Sequence, residues 1–319
     1  MATNLTRRRF LGMASAAVVA PAMAANASRG ADSSAASQPL RFAHFTDSHV
    51  QPEANAEQGL IRCIKAAEAH KPEFVLTGGD LVMDVADQDG ARAEVLFDQY
   101  QRVLQENTQL KFYPCLGNHD VFGWSNRRGV APDHPLYGKK MFCERFGLDR
   151  TYYRFDRGGW RFYVLDDIQP TPDNRYQAYL DEEQLEWLKA DLQAKPAEMP
   201  AAVVCHIPIL SVTIFDTGGM WREEENAYHI STRQMCRGAV DLAMLFSQHN
   251  VKLALSGHTH RVDRVEYRGV TFICGGAVCG AWWREQAYRG FPAGFGLIDL
   301  YANGDFNYSF QQYEWAGPA

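Results

Sequence analysis

Five short segments of this sequence carry acidic, imidazole or amide side chains, which are the residue types that bind transition-metal ions. The central segment is Gly117-Asn118-His119-Asp120, and it follows an apolar run at residues 112–116 that is typical of a strand. An asparagine and a histidine at the end of a strand are well placed to meet a metal-bound phosphate. The other segments, in chain order, are Asp47-Ser48-His49, Gly79-Asp80, His206 before Pro208, and Gly257-His258-Thr259-His260.

The chemistry that suits these residue types is displacement at phosphorus. Two divalent ions about 3.5–4 Å apart can stabilise both the attacking and the leaving oxygen of such a reaction. The pair needs a bridging carboxylate and several nitrogen and oxygen ligands. Taken singly, Asp80 could be a helix N-cap and His206 a core histidine, but the ordered set favours a metal centre. The candidate ligands are Asp47, His49, Asp80, Asn118, His206, His258 and His260.

The elements that must position these residues alternate between strands and helices. Residues 40–47 predict a strand, 54–70 a helix and 74–76 a second strand, with acidic residues at both strand ends. This order favours a parallel sheet with a site at its carboxyl edge. Because side chains two apart on extended chain point the same way, Asp47 and His49 are expected to reach one ion. Further helices are predicted at residues 90–106, 181–192 and from Ser231 to about Asn250, and strands at 111–116, 152–155, 160–165, 201–205, 251–255, 262–267, 270–274, 295–300 and 306–313.

Two long irregular stretches, residues 121–150 and 209–230, interrupt this alternation. Long loops that follow candidate catalytic segments often form substrate walls. Arginine charge and tryptophan stacking could hold the far end of a substrate, although aromatic residues in loops are also common packing anchors. His44, inside the first strand, is expected to be a core residue. The candidate substrate contacts are Trp124, Arg127, His229, Trp282 and Trp283.

The set D-x-H, G-D, G-N-H-D, H and G-H-x-H, in this order, resembles that of the calcineurin-like metallophosphoesterases. The version with D-x-H is most similar to the class III cyclic nucleotide and glycerophosphodiester phosphodiesterases. The resemblance extends over residues 41–260. We therefore expect an α/β fold of four layers, an αββα sandwich in which two mixed β-sheets pack face to face with helices outside and a dimetal site lies at the carboxyl ends of the strands.

The resemblance also implies roles for individual residues. One ion would be held by Asp47, His49, Asp80 and His260, and the second by Asp80, Asn118, His206 and His258. Asp80 would bridge them, and a hydroxide shared by the ions would be the nucleophile. His119 would not be a ligand but would contact a phosphate oxygen and stabilise or protonate the leaving group, with Asp120 orienting it. Iron, manganese, zinc and cobalt all suit such ligands.

Departures from neighbouring families narrow the expected substrate. Purple acid phosphatases carry a tyrosine where this chain has Met83, and the protein phosphatases carry an arginine soon after the G-D pair that Leu81 to Asp84 does not supply. The favoured function is hydrolysis of small-molecule phosphodiesters, with a broad phosphomonoesterase as the alternative. A metal-free interaction scaffold on the same fold and a metal carrier or sensor stay open as non-catalytic alternatives. The intact ligand set argues against the scaffold, and the non-ligand His119 argues against the carrier.

The amino-terminal residues predict export. Arg7, Arg8 and Arg9 precede Phe10-Leu11 and a short apolar run at residues 12–20, which is followed by Ala22-Met23-Ala24. The run is too short to span a bilayer permanently. The pattern resembles a twin-arginine signal, which implies the twin-arginine translocase as a partner and a periplasmic or secreted location. An ordinary secretory leader is the alternative. The predicted organisation is a signal peptide at 1–24, a linker at 25–39 and one metallophosphoesterase domain at 40–319.

The net charge argues against a general nucleic-acid-binding protein, and the cysteines follow no regular pattern. The formal net charge is −6, and removal of the three leader arginines makes it more negative, so a general attraction to nucleic acid is not expected. The seven cysteines are an odd number without a CxxC pair. Cys115 and Cys205 lie in apolar runs and are expected to be buried thiols. A bridge between Cys274 and Cys279 stays open, as does the oligomeric state.

Overall fold

The computed structural model describes residues 38–125, 127–217 and 220–315. The predicted signal peptide and residues 25–37 of the predicted linker lie outside these residues. The helices are α1 (Ala56–Glu68), α2 (Gly90–Asn107), α3 (Lys140–Phe146), α4 (Glu182–Ala194) and α5 (Ala239–Gln248). The strands are β1 (Leu40–Phe45), β2 (Phe74–Thr77), β3 (Lys111–Tyr113), β4 (Tyr153–Arg157), β5 (Trp160–Val164), β6 (Ile168–Pro170), β7 (Tyr176–Ala178), β8 (Ala201–Val204), β9 (Trp221–Arg222), β10 (Ala227–Tyr228), β11 (Val251–Ser256), β12 (Asp263–Tyr267), β13 (Val270–Cys274), β14 (Ala287–Tyr288), β15 (Phe291–Pro292), β16 (Gly294–Leu300) and β17 (Phe306–Gln312).

Two mixed β-sheets form the centre of the fold. The first has the order β17-β16-β1-β2-β3, in which β1, β2 and β3 are parallel and β16 and β17 are antiparallel neighbours. The second has the order β12-β13-β11-β8-β5-β4, with a parallel centre of β13, β11, β8 and β5 and an antiparallel strand at each edge. The predicted alternation of strand and helix accounts for the parallel strands, because parallel neighbours need crossover connections.

The inner faces of the two sheets share one apolar core. Phe42 of β1 stacks on Phe74 of β2 with ring centroids 5.1 Å apart, and both rings meet Phe162 of β5 edge to face at 5.6 Å. Since Phe162 belongs to the second sheet, these contacts join the two sheets directly. Trp160 and Leu253 of the second sheet are buried in the same cluster.

The helices cover the outer faces of the sheets. Along β1, Ala43 and Phe45 point away from the inter-sheet core and pack with residues of α1 and α2, as expected for side chains that alternate along a strand. On the second sheet, Tyr163 of β5 donates a hydrogen bond to Asp191 of α4. The fold is therefore an αββα sandwich of two mixed sheets flanked by helices, and the predicted fold class is confirmed. Within the described residues, no helix combines the length and apolar character needed to cross a bilayer.

The seven cysteines all lie within the described residues, and all are free thiols. Cys115 and Cys205 are buried in the core, as predicted. The bridge between Cys274 and Cys279 is not formed. Cys274 instead donates a hydrogen bond through its sulfur to the carbonyl of Gly257.

The helix predicted to begin near Ser231 begins instead at Ala239, so this prediction is wrong by about two turns. The preceding backbone is committed to other segments: the amide of Cys236 donates to the carbonyl of Pro208, and the amide of Arg237 donates to that of Ala178. Gly238 then adopts φ 78°, which ends this stretch and opens the helix. Helical periodicity alone could not reveal these long-range hydrogen bonds.

His44 is buried between the two sheets, as predicted for a core residue. Neither ring nitrogen has a hydrogen-bond partner in the residues that the structure describes, and close packing against Gly78 and Gly275 surrounds the imidazole with backbone. Burial disfavours the charged ring and lowers the pKa of His44 to about 4, although Asp47 opposes this shift.

Acid sensitivity of the fold is expected to depend on His44. In the unfolded chain the His44 ring takes up a proton near pH 6.5, whereas in the folded chain it does so only near pH 4. The contribution of His44 to the free energy of unfolding is therefore complete above pH 6.5 and is lost as the pH falls to 4. The loss amounts to about 3 kcal/mol. Denaturant titrations at pH 7 and pH 4.5 should show a smaller acid-induced loss for His44→Leu than for the wild type or for the control His249→Leu. Equal losses in all three proteins would contradict the prediction.

Candidate metal centre

The seven predicted ligands meet at the carboxyl ends of strands from both sheets. Asp47 and His49 follow β1, Asp80 follows β2, and Asn118 lies in a short 3₁₀ turn after β3. The second sheet contributes the remaining three from the segments after β8 and β11. Those three residues are His206, His258 and His260.

One group of side chains surrounds Asp47. His260 Nε2 lies 3.3 Å from Asp47 Oδ1, and His49 Nε2 lies 3.9 Å from the same oxygen. The two imidazoles approach each other to 3.2 Å between their Nε2 atoms. All three side chains are buried, so a carboxylate oxygen and two ring nitrogens converge on one point out of contact with bulk solvent.

A second group surrounds Asp80. His206 Nε2 lies 3.1 Å from Asp80 Oδ2 and 3.1 Å from Asn118 Oδ1. His258 belongs to the same cluster, with its ligand atom within 4.8 Å of those of Asp80 and His206. Asp80 Oδ2 is also 3.7 Å from His49 Nε2, so this carboxylate lies between the two groups.

Hydrogen bonds behind the imidazoles orient their ligand atoms. His206 Nδ1 donates to the carbonyl of Gly78 at 2.7 Å, and His260 Nδ1 donates to that of Gly280 at 3.0 Å. With one proton held on Nδ1, Nε2 of each ring faces the carboxylates and offers its lone pair to a metal ion when the ring is neutral, which is the usual second-shell arrangement of metal-binding histidines.

Five of the seven residues adopt a left-handed backbone, with φ of 54° at Asp47, 42° at His49, 53° at Asp80, 69° at His258 and 56° at His260. This region is sparsely populated by residues other than glycine and marks functional sites when it recurs. The convergence of Asp47 and His49 was predicted from an extended chain with both side chains on one face, and this reason is wrong. Both residues instead leave the extended conformation through a left-handed φ, while the chain continues in parallel beside the segment after β2.

Glycine permits the close approach of the ligand-bearing segments. A Cβ on Gly117 would lie 2.1 Å from the amide nitrogen and 2.2 Å from the carboxylate of Asp80. A Cβ on Gly257 would lie 1.8 Å from the hydroxyl of Thr46 and 2.4 Å from the carboxylate of Asp47. Both carboxylates therefore pack directly against backbone that carries no side chain.

The electrostatics of the cluster depend on opposite charges at short range. Burial would raise the pKa of Asp80, but neighbouring histidines, above all His206, hold it well below its usual range. Burial likewise opposes the charged form of His206, yet Asp80 raises its pKa to about 10. The pKa of His258 falls to about 3 because the ring is buried and lies beside His206. The ionised carboxylate is thus stabilised by positive charge supplied within the cluster.

The residues present fit two transition-metal ions. The donors are carboxylate and amide oxygens together with imidazole nitrogens, and they form overlapping groups around Asp47 and around Asp80. Within the described part of the chain, His258 Nε2 is buried without a hydrogen-bond partner, as expected of an atom reserved for a metal. One further donor was not predicted: Cys279 Sγ lies within 4.8 Å of ligand atoms of His49 and His260. No motif in the sequence singled it out.

His119 lies at the edge of this cluster, and Asp84 rather than Asp120 accompanies it. His119 Nδ1 is 3.5 Å from Asp84 Oδ1, while its Nε2 faces Asp80 Oδ2 at 4.0 Å. Burial would lower the pKa of His119, but Asp80 and Asp84 raise it above its usual value.

The predicted role of Asp120 in orienting His119 is wrong. Its carboxylate accepts hydrogen bonds from the backbone amides of Leu81, Val82 and Gly117, and it is completely buried. Asp120 therefore ties the turn after β2 to the turn after β3. Burial and the nearby Asp80 raise its pKa to about 7.

Two cavities open from the cluster, and His119 lines both. The first, about 280 Å³, is the Tyr288 arm, lined by Gln234, Arg261, Trp282, Tyr288 and Arg289 next to the cluster residues. The second, about 350 Å³, is the Trp124 arm, lined by Asp84, Asp87, Trp124, Arg127, Tyr176 and Arg233. Since one side chain belongs to both walls, the two arms meet at His119.

The predicted substrate contacts separate into two sets. Trp124 and Arg127 line the Trp124 arm and Trp282 lines the Tyr288 arm. Trp283 does not line the rim: it is buried, packs on Gly59 of α1, and donates from its indole to the carbonyl of Ser48. His229 is exposed beside the hairpin β9–β10 and hydrogen-bonds to Glu225.

Several arm residues escaped the sequence reasoning, among them Arg261, Tyr288, Tyr176 and Asp84. Arg261 directly follows the G-H-T-H segment, and Asp84 closely follows Gly79-Asp80, so proximity to a motif was the available signal. The other two come from distant hairpins, β14–β15 and β6–β7, which no spacing connects to the motifs.

The sequence model of the calcineurin-like phosphoesterase family matches residues 40–262, and the chain belongs to this family. A dimetal phosphatase from Danio rerio is similar in structure, with a TM-score of 0.60 and 13% identity over 86% of this chain and 97% of that one. GAP50 of Plasmodium, the anchor in the inner membrane complex, gives a TM-score of 0.51 and 18% identity over 86% and 85%. These likenesses show a shared fold. None of the curated protein sequences compared with the chain matches it. Membership of this family identifies the chain as a metal-dependent phosphoric ester hydrolase.

Removal of the Asp84 carboxylate is expected to impair His119 as a proton donor. Asp84→Asn should lower kcat by about 100-fold for alkyl leaving groups, which need protonation, and much less for 4-nitrophenolate. Since His119 would then lose its proton at lower pH, the alkaline limb of the pH–rate profile should move to lower pH while bound metal stays constant. Asp87→Asn, a carboxylate of the same arm that contacts Ser125 instead, is the control. Equal losses for both leaving groups would remove this role from Asp84.

Proposed function

We propose that the protein is an exported dimetal phosphodiesterase that acts on small-molecule substrates. The observation that carries the diester assignment is the pair of arms that meet at His119. A phosphodiester has two organic substituents and a monoester has one. A cluster with a cavity on either side of its proton donor accommodates one substituent in each arm.

The cluster residues place the phosphate and set its charge environment. When two metal ions are bound, they supply a lowered pKa for attacking water and positive charge on the phosphate oxygens. Asp47 and Asp80 would hold them from the first sheet, and His206, His258 and His260 from the second. Because both sheets are fixed by the inter-sheet core, the two halves of the site keep a constant separation.

His119 supports the proton-transfer step. Its Nδ1 side is occupied by Asp84, so Nε2 is the nitrogen that faces Asp80 and the reacting phosphate. Burial opposes the charged ring, but Asp80 and Asp84 raise the pKa of His119 above its usual value, which favours the protonated form that can donate to a departing alkoxide.

The Trp124 arm suits a planar substituent. The Arg233 guanidinium lies 4.9 Å from the centre of the Tyr176 ring, and Trp124 faces the same cavity. Asp87 lies 3.3 Å from Arg127 and partly offsets its charge. Stacking on aromatic side chains therefore contributes more here than net charge.

Export is proposed from the sequence, since the pattern of Arg7 and Arg8 before Phe10-Leu11 resembles a twin-arginine signal. The full chain should appear in the periplasmic fraction of bacteria that express it. A version with lysines at Arg7, Arg8 and Arg9 should stay in the cytoplasmic fraction. Periplasmic recovery of both would assign the leader to the general secretory route.

The diester assignment is tested with metal-reconstituted protein and two chromogenic esters. We expect a higher kcat/KM for bis(4-nitrophenyl) phosphate than for 4-nitrophenyl phosphate, because only the diester fills both arms. Asp80→Ala should abolish turnover of both esters and leave the circular dichroism spectrum unchanged. Turnover of the monoester alone would make the protein a phosphomonoesterase, and metal binding without turnover of either ester would make it a non-catalytic metal-binding protein.

A further inference from the structure

Arg261 is a buried cation in the wall of the Tyr288 arm. It follows His260 directly, and only 2% of its surface is exposed. Nη1 donates to the carbonyl of Thr213 at 2.9 Å, whereas Nε has no hydrogen-bond partner among the described residues. The Asp216 carboxylate lies 3.6 Å from Nε, but 63% of that side chain is exposed.

A guanidinium in this position is incompletely compensated. It carries five N–H donors and a permanent positive charge, and burial removes the water that would otherwise solvate them. A buried charge without a well-placed partner is costly, and proteins retain such groups where a ligand completes the pairing. The exposed Asp216 is shared with solvent and is too distant to hydrogen-bond to Nε.

A second arginine stands on the same arm. Arg289 is exposed at the mouth, and its Nη1 donates to the backbone carbonyl of Asp216. The guanidinium carbons of Arg261 and Arg289 lie 5.5 Å and 5.7 Å from the centre of the Tyr288 ring. Trp282 meets that ring edge to face at 5.1 Å. Two cations and two aromatic rings thus form one continuous wall.

The charge of this arm differs from that of its neighbour. Among the described residues that line the Tyr288 arm, Asp80 is the acidic one, and the proposed metal ions would neutralise it. The Trp124 arm, by contrast, contains Asp84 and Asp87 beside its arginines. Beyond the metal cluster, the Tyr288 arm therefore presents positive charge without an acidic side chain of its own.

We infer that the Tyr288 arm binds a second negatively charged group of the substrate, a carboxylate or a phosphate, with Arg261 as its buried anchor and Arg289 at its mouth. The inference rests on the proposed function and adds a substrate class: phosphoesters whose substituent carries an additional anion. A bidentate contact from a guanidinium to such a group would occupy the donors that the protein leaves unpaired.

Three non-hydrolysable phosphonates of matched shape test the subsite. They are 4-nitrobenzylphosphonate, 4-carboxybenzylphosphonate and the bisphosphonate of para-xylene, titrated by calorimetry into the metal-loaded full chain. The nitro and carboxylate groups have nearly the same size, so charge is the main difference between the first two ligands. We expect at least one of the two anionic ligands to bind about tenfold more tightly than the nitro compound. The comparison between them distinguishes a carboxylate from a phosphate subsite.

Arg261→Met should remove this preference and leave the affinity for the nitro compound unchanged. Arg289→Met, at an exposed position that does not threaten the fold, should reduce the preference and serves if Arg261→Met proves unstable in thermal unfolding. Arg264→Met is the matched control, because this arginine of β12 is exposed and pairs with Glu266 outside the arm. It should bind all three ligands as the wild type does.

The inference would be overturned by equal affinities of the wild type for all three phosphonates. It would also be overturned by a preference that survives both Arg261→Met and Arg289→Met. A loss of affinity in Arg261→Met that is equal for the nitro and anionic ligands would also overturn it, since the arginine would then hold the phosphonate at the metals. The same preparations are assayed with bis(4-nitrophenyl) phosphate. Hydrolysis without an anion preference refutes the subsite alone, and an anion preference without hydrolysis refutes the proposed function alone.

Discussion

The Asp80 carboxylate is the contact on which the site depends. One oxygen accepts the backbone amide of His119 at 2.8 Å, and the other faces His206 from the second sheet and His49 from the first. A buried carboxylate stays ionised only where positive charge is close, so the imidazoles and the carboxylate stabilise one another. If the two sheets separated or slid past each other, Asp80 would lose His206 and its buried charge would be left without this partner.

The turns around Asp80 store strain that the rest of the fold must offset. Each left-handed residue other than glycine costs about 1–3 kcal/mol. Backbone hydrogen bonds between the turns hold them in place: the amide of Asp47 donates to the carbonyl of Gly79, that of His49 to Asp80, and that of Gly257 to His206. Asp120 braces the same turns from behind with three accepted amide bonds. The ligand side chains are therefore positioned by rigid backbone before any metal binds.

The two arms are built from other segments of the chain than the metal cluster. Their walls come from segments outside the five motifs, including the hairpins β6–β7 and β14–β15. A cluster built on the strand ends can thus keep its geometry while the surrounding loops set which substituents fit. The unlike charges of the two arms distinguish the two sides of the cleft, with aromatic surface and mixed charge on one side of His119 and incompletely compensated arginine on the other.

The sequence by itself determined the main strands and helices of both sheets and the residues that gather at the strand ends. These features could be predicted because each ligand lies in a short motif after an apolar strand, where neighbours in the chain remain neighbours in space. The αββα fold was implied by the resemblance to the calcineurin-like metallophosphoesterases. Only the tertiary structure decided which side chains face the cavity. Trp282 and Trp283 are adjacent and both have positive φ, yet one lines the arm and the other is buried against α1. Asp84 replaced Asp120 beside His119, and the start of α5 moved to Ala239, because contacts between residues distant in sequence outweigh local pattern.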